Sequence, residues 1–165
     1  MPDLSAAVLE LIRLTSTSLP SDVEGKLKTS LEIEDKNSAA RNALQTIIHN
    51  IEIAREHSTP LCQDTGTPIF YVHHPEKYKT RYLESIIREA VAEATALALL
   101  RPNAVDGFTG KNSGNNLGGA YFPIIHFDTV DEETLTIDLM LKGGGCENVG
   151  RQYSLPDEKL NAGRD

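Results

Sequence analysis

Chemistry in this chain of 165 residues gathers in one short stretch, Thr59-Pro60-Leu61-Cys62-Gln63-Asp64-Thr65-Gly66. A thiol, an amide, a carboxylate and a hydroxyl occupy four consecutive positions. A thiolate can ligate a metal, and a carboxyl can carry a proton to a leaving group. Two further stretches carry groups suited to an anion. Arg101-Pro102-Asn103 offers a guanidinium, and Lys142-Gly143-Gly144-Gly145 offers backbone N–H groups that glycine lets approach closely. A cation complementing a helix C-terminus accounts equally well for Arg101. A lone glycine run is a weak signal. It has neither the lysine-serine ending of a phosphate loop nor dinucleotide-binding spacing, so it does not read as a nucleotide site.

The elements around these stretches must hold them. Pro60 disfavours helix at the residue before it, and Gly66 permits a tight turn. The cysteine stretch therefore reads as a connection between a helix and a strand. The helix pattern before it starts at Asn37 or Ser38, recurs through Leu44, Ile47, Ile48, Ile51 and Ala54, and reaches about His57. Two helices precede it, one over 3–15 with Asp3 as cap and a more polar one near Val23 to Ile33. The strand after it covers 68–72. His73 and His74, adjacent on that strand, point to opposite faces and read as surface residues rather than as co-ligands. The clearest helix spans 80–100, with Leu83, Ile86, Ile87, Ala90, Val91 and Ala94 on a broad apolar face. Residues 106–120 form a loop rich in Gly and Asn. Strands are expected at 121–127 and 135–141, joined by a short acidic link and paired antiparallel. Arg151 to Asp165 carries no hydrophobic pattern. Together these predict a single α+β domain over 1–165: helices to about 100, sheet and loop to about 150, then a tail. The helical half should pack on a small, mainly antiparallel sheet.

Composition sets bounds. Hydrophobic residues make up 39% and charged residues 24%, as in a folded globular chain. The formal net charge is −8, and no basic run appears, which argues against a nucleic-acid or anionic-membrane partner. No apolar run is long enough to span a membrane, and the N-terminus lacks the features of an export signal. A cytoplasmic location follows as the expectation. Cys62 and Cys146, the two cysteines, then read as reduced thiols or metal ligands rather than a structural disulfide.

Taken in order and spacing, Pro60-Leu61-Cys62-Gln63-Asp64-Thr65-Gly66, Arg101-Pro102-Asn103-Ala104-Val105 and Lys142-Gly143-Gly144-Gly145-Cys146-Glu147-Asn148 resemble one family. It is the α-subunit or N-terminal domain of the class I, iron–sulfur fumarate hydratases and the related L-tartrate dehydratases. Thr109-Gly110-Lys111-Asn112 also resembles that family, and the likeness runs to about residue 150. The resemblance implies a 4Fe–4S cluster held by three cysteines, with Cys62 matching the first. The other two would follow beyond this chain, and Cys146 does not match a ligand position. It further implies Asp64 as the catalytic acid, assisted by Gln63. Gln63, Asp64, Arg101, Gly144 and Gly145 would bind a small dicarboxylic acid. Burial beside a dianionic substrate would keep the Asp64 carboxyl protonated, as that role requires. The catalytic base would lie on a C-terminal domain or β-subunit, and a homo-oligomer is implied. The isolated chain, with one cluster ligand of three, is expected to be inactive.

The leading reading is a hydro-lyase for the reversible hydration of fumarate to L-malate, with L-tartrate dehydratase as the alternative within the class. Cys146 leans toward tartrate dehydratase, whereas Lys142 and Glu147-Asn148 lean toward fumarate hydratase. A reading from another class is a non-catalytic interaction domain, in which Cys62 is a core thiol, Asp64 a turn acceptor and the glycines only turns.

Overall fold

A computed structural model describes residues 3–145. Cys146, Glu147, Asn148 and the 151–165 tail lie outside the described residues. Among the described residues, four α-helices and three strands follow in the order α1 (Leu4–Thr17), α2 (Ser21–Ile33), α3 (Ala39–His57), β1 (Thr67–His74), α4 (Thr80–Ala96), β2 (Ile124–Thr129) and β3 (Thr136–Lys142). The α+β class read from the sequence is the class of the fold. The helix starts follow local chemistry. Asp3 accepts from Ser5 N at 3.0 Å, and Ser38 accepts from Arg41 N at 3.0 Å. Each side chain satisfies a first-turn N–H that has no partner inside the helix.

The sheet order is β2-β1-β3. β1 pairs with β2 in parallel and with β3 antiparallel. The expected antiparallel hairpin of the last two strands is therefore corrected, because β1 lies between them and the sheet is mixed. The physical reason is burial. β1 carries apolar residues on both faces, with Pro68, Ile69, Phe70 and Val72 all buried. The later strands hold only half-buried and exposed residues, none of them fully buried. Central strands are shielded on more sides than edges, so the most apolar strand takes the middle. A parallel neighbour also needs a long crossover, which α4 and the loop after it supply.

The register aligns the core. Phe70 stands opposite Ile125 on one side and Leu139 on the other, and Val72 stands opposite Phe127 and Ile137. These two rows meet Val8 and Ile12 of α1 and Leu83, Ile87, Ala90, Val91 and Ala94 of α4 in one cluster. The small alanines let α4 lie close. The opposite face of the sheet holds Tyr71 stacked on His126, ring centroids 5.0 Å apart.

Helix α2 buries no residue in the core. It rests on α3 and is tied there by polar contacts. Glu24 accepts from Lys28 at 2.8 Å and also pairs with Arg55, and these partners, Lys28 first, hold its carboxyl below the usual range. The Arg41 guanidinium donates to the carbonyls of Leu31 and Glu34 at 2.7 and 3.1 Å, which serves otherwise unpaired acceptors at the end of α2.

Two expectations need adjusting. Helix α4 ends at Ala96, not Leu100, with Ala98 at φ 59° reversing the chain. Arg101 thus stands beyond the last turn, where the helix dipole has little reach. His74 is not a surface residue. It is 3% exposed, accepts or donates at Nδ1 with the Pro75 carbonyl at 3.0 Å, and sits edge-on to Phe127.

Phe70 is fully buried at the centre of the middle strand. Phe70→Ala should lower the unfolding free energy by about 3–5 kcal/mol, measured by urea titration. Gly25, on the exposed part of α2 with no atom within 4 Å of an added Cβ, makes the contrast. Gly25→Ala should raise stability by about 0.5–1 kcal/mol.

Candidate active site

The cysteine loop is fastened at both ends. Ser58 at φ 50° ends α3, and Thr59 N donates back to Ala54 O at 3.0 Å. Leu61 N donates to Ser16 O of α1 at 2.9 Å, while Asn50 of α3 donates through Nδ2 to Leu61 O at 3.1 Å. Cys62 and Gln63 follow this anchored residue and are exposed. Beyond them, Thr65 is buried again and its Oγ1 accepts from Arg101 N at 2.8 Å. The Gly66 carbonyl accepts from Asn103 Nδ2 at 3.1 Å.

Gly66 has φ 78° and lies against the end of β3. A Cβ there would sit 2.3 Å from both the carbonyl carbon and oxygen of Lys142, and 2.7 Å from Gly143 N. Only glycine fits, on grounds of both space and dihedral angle. The approach brings Asp64 to the glycine run. Its Oδ1 accepts from Gly66 N at 3.0 Å, and its Oδ2 accepts from Gly144 N at 3.0 Å.

The structure sorts the candidate residues into two adjoining clefts. Cys62, Gln63 and Arg101 line one of about 540 Å³, together with Asn50, Thr95 and Pro102. Asp64, Gly144 and Gly145 line a smaller one of about 300 Å³, together with Gly66 and Asn103. The join between them is the Gln63–Asp64 peptide. The Gly144 N–H already serves a carboxylate, that of Asp64. Asp64 itself is exposed within this chain, not buried as its expected role would require. Among the described residues no group of three or more His, Cys, Asp or Glu side chains could hold a metal ion. Cys62 is the free cysteine among them. One exposed thiol in a cleft fits a single ligand position of a metal group and does not complete a site.

The sequence patterns did not single out Asn50 or Asn116 for the site; Thr65 and Asn103 lie within the motif stretches but carried no role there. Asn116 is the one with a readable signal, being an asparagine in a glycine-rich loop, where positive φ is common. It takes φ 58° and is fully buried. Nearby, Asp106 accepts from Thr109 Oγ1 and N, both at 2.7 Å. Those bonds hold its carboxyl below the usual range and close the loop on itself.

Three distant stretches thus meet in one place: 60–66, 101–105 and 142–145. A model of the family described as fumarate hydratase (Fumerase) matches residues 5–163. The chain belongs to that family. It is 41% identical, over 99% of its length, to a Geobacillus stearothermophilus protein provisionally named class I fumarate hydratase. It is 35% identical, over 92% of its length, to the L(+)-tartrate dehydratase subunit alpha of Escherichia coli K12. A Methanocaldococcus jannaschii protein provisionally named as the same subunit is also 35% identical, over 88% of the chain. The chain spans only 32%, 50% and 52% of these three relatives, in that order. Its relatives in the fumarate hydratase family carry the names of hydro-lyases. No helix among the described residues is long and apolar enough to cross a membrane.

Gly66→Ala should cost more than about 2 kcal/mol in stability, since backbone must move for the new carbon to fit. The damage should centre on the Asp64–Gly144 contact. Amide hydrogen exchange at Gly144 should accelerate by more than the exchange at Phe70.

Proposed function

We propose that this chain is the N-terminal part, or α-subunit, of an iron–sulfur hydro-lyase that interconverts fumarate and L-malate. The observation that carries the reading is the joining of the three family stretches by direct hydrogen bonds, Thr65 with Arg101 and Asp64 with Gly144. The higher identity to a relative named for fumarate hydratase supports fumarate over tartrate.

In this reading Arg101 grips one substrate carboxylate through two parallel N–H···O bonds, a geometry that guanidinium matches. Gln63, on the same cleft, hydrogen-bonds the substrate and fixes its orientation. The glycine run receives the second carboxylate. The Gly144 N–H is held by Asp64 Oδ2 in this chain, so the substrate carboxylate would take that N–H in place of Asp64. Dehydration removes a proton from the carbon beside one carboxylate and breaks the C–O bond at the neighbouring carbon. Asp64 gives its proton to the departing oxygen, which leaves as water. The base that takes the carbon-bound proton comes from a C-terminal domain or β-subunit. The same partner covers Asp64 and removes it from solvent. Cys62 would supply one thiolate to a 4Fe–4S cluster whose other cysteines lie outside this chain. When bound, the cluster supplies a Lewis acid that polarises the departing hydroxyl. The assembly is a cytoplasmic homo-oligomer.

L-Tartrate is the second reading, favoured by the 35% identity to the tartrate dehydratase subunit. It differs by one extra hydroxyl, which groups outside this chain would read.

The test is anaerobic reconstitution with iron and sulfide, on this chain alone and on the chain joined to the rest of the protein. A visible cluster absorption and fumarate hydration should appear only in the complete assembly. There, Asp64→Asn should keep the absorption and lose turnover by about a hundredfold or more. Turnover of tartrate without fumarate would install the second reading. A complete assembly that gains no cluster and turns over neither acid would overturn both and leave an interaction domain.

A further inference from the structure

Asn116 lies in an exposed loop yet is 0% exposed itself. Its amide serves the turn that carries Arg101. Oδ1 accepts from Asn103 N at 2.6 Å and from Ala104 N at 3.2 Å. Nδ2 donates to Arg101 O at 2.7 Å and to Thr95 Oγ1 of α4 at 3.0 Å. The two N–H groups facing one end and the carbonyl facing the other fix which end is oxygen. A second asparagine completes the grip, since Asn112 Nδ2 donates to Pro102 O at 2.6 Å. Four backbone groups in a row are therefore held: the carbonyls of Arg101 and Pro102, then the N–H groups of Asn103 and Ala104. The same turn reaches the cysteine loop through Arg101 N and Asn103 Nδ2.

Neighbouring residues show what an ordinary loop asparagine does. Asn115 accepts from Leu117 N two residues on, and Asn112 Oδ1 accepts from Gly114 N. Such bonds shape their own loop. Asn116 makes none of this kind. All its side-chain bonds go to the Arg101–Ala104 backbone or to the helix behind it.

We propose that Asn116 is a positioning residue for Arg101. It fixes the backbone of Arg101 where that residue lines the Cys62 cleft, and so sets the affinity for the substrate carboxylate without touching substrate. This rests on the reading of Arg101 as the carboxylate clamp. A displacement of the clamp of even an ångström matters, because bidentate contact depends on both N–H groups being in place.

The test uses the complete reconstituted assembly. Asn116→Asp keeps the size and tolerates the left-handed backbone, but turns an acceptor toward Arg101 O and Thr95 Oγ1. KM for fumarate and the inhibition constant of succinate should both rise about tenfold, with kcat changing much less. In an Arg101→Gln background the same substitution should add no further rise, since the two act through one contact. Should Asn116→Asp fail to fold, Thr95→Val removes the far anchor and should produce a smaller rise with the same dependence on Arg101. The proposal is overturned by unchanged constants at wild-type Arg101, or by an equal rise in both backgrounds. If Arg101→Gln alone leaves both constants unchanged, the clamp reading itself fails.

Discussion

No side chain can stand between Gly66 and the end of β3. That contact fixes where the cysteine loop crosses the sheet, and much else depends on it. It sets Asp64 within hydrogen-bond distance of Gly144, and it leaves Cys62 and Gln63 outside the crossing, open to the cleft. Because the crossing involves backbone on both sides, it has little freedom to slide. β1 begins immediately after Gly66, and Thr67 pairs with Lys142 in the antiparallel register. The loop position and the strand register are therefore one constraint, which the Phe70 and Val72 rows in the core then lock.

Around this crossing the chain builds with backbone groups more than with charges. The oxygens of Asp64 meet N–H groups, the Arg101 turn is held by asparagine amides, and Leu61 is held by Asn50 and Ser16. Hydrogen bonds of this kind give direction without adding net charge. That suits the anionic substrate proposed above, since a fixed carboxylate network would repel it. Among the described residues, ion pairs such as Glu24 with Lys28 and Lys77 with Glu133 lie away from this crossing.

Local patterns in the sequence revealed the helices and their caps, because those depend on neighbours in the chain. Asp3 and Ser38 could be read this way. Strand order could not, since nothing local to 124–129 or 136–142 says that residue 70 will come between them. It follows from the two-sided apolar character of β1, which competes with the simpler hairpin. The end of α4 is hidden from local pattern for a related reason. Leu99 and Leu100 are buried and continue the apolar pattern, but they are buried from a reversed chain after Ala98. The site stretches were legible as residue types and as a family resemblance. Their grouping into two clefts was not, nor was the role of Asn116, whose partners lie on other segments.

The central place of β1 has a bearing on how the chain is made. At synthesis β1 leaves the ribosome with both edges bare, and its partner β3 is complete only when Lys142 has been added. At about 5–20 residues per second the delay is on the order of ten seconds. During it, an apolar strand with two open edges is exposed to other strands in the cell. Helices α1 and α4, which cover its inner face, are available sooner than the strands that close its edges. The order of emergence thus gives the nascent chain a covered face before it has a paired edge, and leaves edge pairing as the step that a ribosome-bound chaperone would have to guard.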